Sequence, residues 1–265
     1  MTIAGVENKV RKSFSKAAVH YEQLSGLQQA IGLRLLDELK DEKPQRVLDI
    51  GMGTGWLTEK ISQDFPDAKV AGIDFAEGML LASRHKKERF QAIGAHAEML
   101  PFSDGSFDLI ISNLSYQWVE KLNGAFREAE RVLRQNGVFY LSCFGSQSLR
   151  ELFQCFNDRK SLQKLQLPTR EDISSAFSEE AFYDFHITFD IYKVYFPDVL
   201  TLLKWLKKTG ANVNPQEVVI GKDFLKEIDS VYRRKFSDQG KIYASFEVIW
   251  AKAKKSSVFS PQLSV

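Results

Sequence analysis

Three glycines stand directly after a short apolar run in Val47-Leu48-Asp49-Ile50-Gly51-Met52-Gly53-Thr54-Gly55. Alternating glycines let a backbone turn sharply and come close to a ligand. The helix expected from Trp56 onward offers unpaired N–H groups at its start. Such a loop can cradle a nucleotide. A pyrophosphate, however, calls for a further glycine three positions after the second, and Trp56 stands there. The spacing therefore fits a ligand without phosphates, which disfavours a nicotinamide dehydrogenase. About twenty residues on, the next apolar run ends at Asp74, where a carboxylate can accept both hydroxyls of a ribose.

Positioning these groups requires strands whose carboxyl ends meet. Residues 46–50, 69–74, 107–113 and 137–144 read as strands, and 56–65, 76–85 and 122–133 as helices. That alternation predicts right-handed βαβ units and a parallel sheet. Before them, Phe14, Ala17, Ala18, Tyr21, Leu24, Leu27, Ile31, Leu35 and Leu39 recur every three or four residues. They predict a helical cap over 10–40, broken near Ser25-Gly26. After the sheet, Thr169 and Asp172 are spaced to cap a helix at 170–177. A strand over 185–196 follows, then helices at 199–209 and 222–235 within an insertion, 197–236, and a last strand at 243–253. The expected fold is α/β and Rossmann-like. Its sheet is mostly parallel with an antiparallel edge strand. A single domain spans 1–255, and 256–265 forms a frayed tail.

Composition narrows the function. The chain has 265 residues, with 36 Lys and Arg against 34 Asp and Glu, a net charge of +2. That balance argues against a protein whose main work is gripping a phosphate backbone. No apolar run approaches a membrane span and no signal-peptide pattern opens the chain, so the expected setting is cytoplasmic. Cys143 and Cys155 have neither disulfide-framework nor metal-ligand spacing, and no metal is expected.

The glycine loop, Asp49 and Asp74, with Ala95-His96-Ala97-Glu98-Met99-Leu100-Pro101-Phe102 and Ser106-Phe107-Asp108-Leu109-Ile110 downstream, resemble the motifs of class I S-adenosylmethionine (SAM)-dependent methyltransferases. The resemblance implies SAM as co-substrate. It implies cofactor contacts from Asp49, Gly51, Gly53, Gly55, Asp74, His96, the backbone N–H of Ala97, and Asn113. His96 stands where relatives carry an acid against the adenine amine, and a neutral imidazole can still accept that proton. Met52 stands where relatives often carry Cys. Asn113 ends the 107–113 strand, where the transferable methyl would point.

A narrower likeness lies outside these motifs. Phe14-Ser15-Lys16-Ala17-Ala18-Val19-His20-Tyr21-Glu22 with Leu27-Gln28, Ser112-Asn113-Leu114 with Gln117-Trp118, Leu203-Lys204 with Lys208-Thr209-Gly210-Ala211, and Tyr243-Ala244-Ser245-Phe246-Glu247-Val248-Ile249 resemble the malonyl-[acyl-carrier-protein] O-methyltransferases of biotin synthesis. The likeness covers about residues 10–255. It implies methylation of the free carboxylate of a malonyl group carried on acyl carrier protein or coenzyme A.

A carboxylate is already nucleophilic at neutral pH, so no strong base is needed. Alignment can supply roughly 7–11 kcal/mol, and the cap can exclude water. Aromatic faces attract a sulfonium, which nominates Tyr21, Tyr116 and Trp118. Tyr21, Asn113 and Trp118 are the expected catalytic set. Tyr21, Lys204, Lys208 and Arg233, with Lys207 nearby, are the expected substrate contacts. Lys207, Lys208, Arg233, Arg234 and Lys235 could steer an acidic carrier protein. Three alternatives stay open. They are a methyltransferase of another small-molecule or carrier-linked substrate, a SAM-binding protein-arginine hydroxylase-like assembly factor, and a non-catalytic SAM-binding module.

Overall fold

In the computed structural model, which describes residues 3–86, 89–156, 167–211 and 221–256, the chain opens with helices. α1 (Ile3–Ala17) passes through one 3-10 turn into α2 (Tyr21–Leu24), and α3 (Gly26–Glu38) follows. The break falls at Ser25, as the sequence suggests, but the helical run begins well before residue 10. Next come β1 (Arg46–Ile50), α4 (Trp56–Asp64), β2 (Lys69–Asp74), α5 (Glu77–Ala82), β3 (Gln91–Gly94), β4 (Phe107–Asn113), α6 (Leu122–Val132) and β5 (Leu133–Phe144). The second half adds α7 (Arg150–Cys155), α8 (Arg170–Glu179), β6 (Phe182–Phe196), α9 (Val199–Lys208), α10 (Lys222–Lys235), a two-residue β7 (Ser237–Asp238) and β8 (Lys241–Lys255).

The sheet order is β3-β2-β1-β4-β5-β8-β6. β1 to β5 pair in parallel, while β8 runs antiparallel to both β5 and β6. The antiparallel strand is thus one place in from the edge, and β6 takes the edge itself. Burial follows position. Val47, Leu48 and Ile50 of β1 are sealed on both faces, so the strand reads as one apolar run. β6 alternates, because one of its faces meets water.

α6 buries Ala125, Phe126, Ala129 and Val132 along one stripe. Thr169 caps α8 as expected: its hydroxyl accepts from the Asp172 N–H at 3.1 Å, and the Asp172 carboxylate accepts from the Thr169 N–H at 2.8 Å. β3 and α7 had no sequence signal. Four mostly exposed residues and a six-residue helix are too short for a period to register.

Chain order reverses between β1 and β4, which opens a crevice beyond their carboxyl ends. The N-terminal helices lie over it. Ser15 of α1 sits against Gly78 of α5 so closely that a Cβ on Gly78 would lie 2.2 Å from the Ser15 carbonyl oxygen. At the other side, Trp205 Nε1 of α9 donates to the Leu24 carbonyl at 3.0 Å. Arg34 of α3 stacks on the Trp250 ring at 4.2 Å and pairs with Asp190, tying the cap to β8 and β6. No helix among the described residues is long and apolar enough to cross a membrane. Of the expected tail, only Ser256 is described, its N–H bonded to Ala181; 257–265 lie outside the described residues.

Candidate active site

β1, β2 and β4 each deliver one polar side chain to the crevice. Asp49, on β1, is 1% exposed, and its carboxylate accepts from the Thr58 hydroxyl of α4 at 2.6 Å. Burial pushes this carboxyl up to about 7; the Thr58 hydroxyl opposes the push and Asp74 adds to it. Asp74, at the end of β2, accepts from the Gly53 N–H at 2.9 Å and the Ala76 N–H at 2.8 Å. Burial raises it to about 6 against the pull of these backbone donors. Asp74 therefore shapes the glycine loop itself, and each oxygen keeps a lone pair for another donor.

Gly51 adopts φ +78°, and a Cβ there would lie 1.8 Å from Ser115 Oγ. Only glycine satisfies both the turn and the contact. The N–H groups of Gly51 and Met52 both donate to the Ile73 carbonyl at 2.9 Å, which draws the loop onto β2.

Two clefts meet at Gly51. One encloses about 510 Å³ open to solvent and is lined by Asp74, Phe75, His96, Ala97 and Trp118 among others. The Phe75 and His96 rings meet edge to face at 5.7 Å. The second encloses about 450 Å³ and is lined by Tyr21, Gln28, Asp49, Gly53, Trp56 and Asn113 among others.

Of the residues expected to act, the fold brings Tyr21, Asp49, Gly51, Gly53, Asp74, His96, Ala97, Asn113 and Trp118 to these walls. Gly55 lies just behind, capping α4 at φ +77°. Burial and the nearby Asp74 carboxylate push the Tyr21 phenol up, so it stays protonated. Asn113 is tethered at both ends: its amide nitrogen donates to the Gln28 carbonyl at 3.0 Å, and its oxygen accepts from the Ser142 hydroxyl at 2.8 Å. Trp118 is roofed by Phe14 of α1, the ring centres 5.4 Å apart.

Other candidates lie elsewhere. Tyr116 is 1% exposed and packs on Phe126 and Phe139 in the core, so it offers no face to a sulfonium. Lys204, Lys207 and Lys208 are exposed on α9, and none of them lines either cleft. Nor does Arg233, which binds Asp229 at 2.7 Å and the carbonyls of Pro197 and Gly240. It ties α10 to the chain entering α9.

Ser115, Phe75 and the Gln28 side chain line the clefts without having been singled out from the sequence as site residues, and the buried Ser142 supports Asn113 from behind. The Ser142 bond to Asn113 spans 29 residues, so no spacing could reveal it.

The lining has a consistent electrostatic character. Among the described residues it includes Asp49, Asp74, Glu98 and Glu120 but no lysine or arginine. Gln28 Oε1 is buried there with no hydrogen-bond partner, an acceptor awaiting a donor. Acids, a spare acceptor and aromatic rings suit a ligand bearing an ammonium and a sulfonium. The SAM group fits these residues.

Fold and site together define a class I SAM-dependent methyltransferase. The comparisons agree. A family profile described as "Methyltransferase domain" matches residues 48–141. The chain is 32% identical to a malonyl-[acyl-carrier protein] O-methyltransferase of Methylococcus capsulatus, covering 92% of each chain. It is 30% identical to the protein of that name from Geobacter sulfurreducens, covering 93% of this chain and 98% of that one. Among solved structures, the YcgJ protein of a Bacillus shares the fold, with TM-score 0.63, 20% identity and coverage of 86% of this chain and 99% of that one. The chain belongs to the malonyl-[acyl-carrier protein] O-methyltransferase family. It is a SAM-dependent O-methyltransferase, with SAM as co-substrate.

Proposed function

We propose that this enzyme transfers the methyl group of SAM to the free carboxylate of malonyl-acyl carrier protein, with malonyl-CoA as the alternative carrier. The product is a malonyl methyl ester for the pimeloyl moiety of biotin, the pathway the sequence resemblance implies. The observation that carries this reading is the chemistry of the crevice wall. It presents acids, amides and aromatic rings, with no Lys, Arg or Cys among its described residues. Such a wall holds a cationic methyl donor well, and its His96, Asp49 and Asp74 are taken up by that donor rather than left to activate a reluctant acceptor. An acceptor that arrives already ionised suits it.

When bound, SAM supplies an electrophilic methyl on a sulfonium. The chain's own residues hold and enclose it. The free lone pairs of Asp74 take the ribose hydroxyls, while His96 and the Ala97 N–H face the adenine. Asp49 and Gln28 Oε1 take the ammonium end, and Gly51, Gly53 and Gly55 let the backbone approach. Tyr21 and Trp118 lend aromatic faces to the sulfonium, worth about 0.5–2 kcal/mol. Asn113 keeps the cap seated over the methyl end, which excludes water. The exposed Lys204, Lys207 and Lys208 beside the cap meet the acidic carrier rather than the buried carboxylate.

The test is methyl transfer from radiolabelled SAM to malonyl-carrier protein, malonyl-CoA and acetyl-carrier protein, with mass spectrometry of the product. Label on the malonyl acceptors alone, released by ester hydrolysis, supports the reading. Label on acetyl-carrier protein, or none on any acceptor while SAM still binds, overturns it.

A further inference from the structure

Beside Tyr21, the cap carries an acid that none of the chemistry above uses. Glu22 Oε1 accepts from the Thr54 hydroxyl at 2.7 Å and from Lys86 Nζ at 2.8 Å. Thr54 belongs to the glycine loop and is 4% exposed. Lys86 follows α5 and is 6% exposed, with Glu59 Oε2 of α4 at 3.6 Å on its other side. A lysine this deeply buried must be paired. Three segments distant in sequence thus converge on one carboxylate: the cap, the loop that turns under the ligand, and the segment behind β2. The Gln29 side chain braces the turn by donating to the Glu22 carbonyl at 2.8 Å.

We propose that Glu22 is a positioning residue that latches the cap to the glycine loop and to Lys86, and thereby sets how long an adenosyl ligand stays in the crevice. Tyr21, its neighbour, lines the cleft, and Thr54 sits between Gly53 and Gly55. Opening the latch therefore frees the ligand's roof and loosens its floor at once. α1 packs on Gly78, Trp118 and Gly210. α2 is held to α9 through the Leu24 carbonyl, and Glu22 supplies its side-chain bond to the glycine loop. The inference rests on the cofactor placement proposed above but not on the identity of the methyl acceptor.

The experiment measures dissociation of S-adenosylhomocysteine by stopped flow, with melting temperature recorded for each variant without ligand. Glu22→Gln keeps the shape of a side chain that is 41% exposed, so the fold should survive. It should speed dissociation about tenfold, with little change in the association rate. Lys86→Met should do the same. The double variant should be no faster than the faster single one, because both changes break one latch. Lys252→Met, which removes an ion pair to Glu42 elsewhere on the cap's end, should leave dissociation unchanged at a similar cost in melting temperature. Dissociation within twofold of wild type in Glu22→Gln, or effects that multiply in the double variant, would overturn the latch. Failure of the wild type to bind S-adenosylhomocysteine would instead overturn the cofactor placement.

Discussion

The side-chain amide of Asn113 donates to the backbone carbonyl of Gln28 at 3.0 Å, across 85 residues of sequence. This bond joins the carboxyl end of β4 to α3 and seats the cap on the sheet. With Asn113 also holding the Ser142 hydroxyl, the side chain that was expected to face the methyl group is committed to the scaffold around it.

Asn113→Ala should therefore weaken both stability and cofactor binding. It strands the Gln28 carbonyl and the Ser142 hydroxyl in a half-buried place, at about 1–3 kcal/mol. Asn113→Asp should be worse, since an acceptor would then face the carbonyl. Thermal melting with and without SAM reads both effects.

Gln28→Leu separates ligand binding from folding. The buried Gln28 Oε1 has no partner in the chain, so its removal should leave the melting temperature unchanged or higher. SAM affinity should fall by about tenfold, measured by calorimetry, if this oxygen takes the ammonium. Unchanged affinity would remove it from the site.

Asp74→Ala should cost more than a ribose contact. It also releases the Gly53 and Ala76 N–H groups, so the loop loses its shape. SAM and S-adenosylhomocysteine should both bind at least about tenfold more weakly.

Asp49 and Asp74 titrate near 7 and 6, both raised by burial. Their folded values lie above the unfolded value of 3.8. Their contribution to stability is thus fully present below about pH 4 and lost as pH rises through 6 to 7. Binding of a cationic ligand runs the other way, strengthening as the carboxylates ionise. SAM affinity should climb between about pH 5.5 and 8, and Asp49→Asn should flatten the upper part of that rise, near 7, leaving the lower part to Asp74. Calorimetry across this range, with melting curves of both proteins, checks the two opposite slopes.

Arg233→Ala should lower the melting temperature, because it unties α10 from the carbonyls of Pro197 and Gly240. The KM for malonyl-carrier protein should not move. Replacing Lys204, Lys207 and Lys208 together by alanine should raise that KM in a salt-dependent way and leave kcat alone. Steady-state kinetics at two ionic strengths distinguishes the two.

Local chemistry was legible in the linear chain. Apolar runs carrying Asp49, Asp74 and Asn113 at or next to their ends announce parallel strands and mark their carboxyl ends. The glycine spacing, with Trp56 behind it, announces the ligand's character. These signals survive because strand periodicity, capping and turn formation depend on neighbours a few residues apart.

What joins the pieces was decided only in three dimensions. Tyr116 and Trp118 are two residues apart, yet the first is core and the second lines the crevice. Arg233 looked free to grip a carboxylate until the fold gave it the carbonyls of Pro197 and Gly240. Glu22, Thr54 and Lys86 meet across 32 and 64 residues, and no pattern in the sequence foretells it. A side chain's partner depends on which surfaces pack together, and packing is a property of the whole sheet and its cap rather than of any segment.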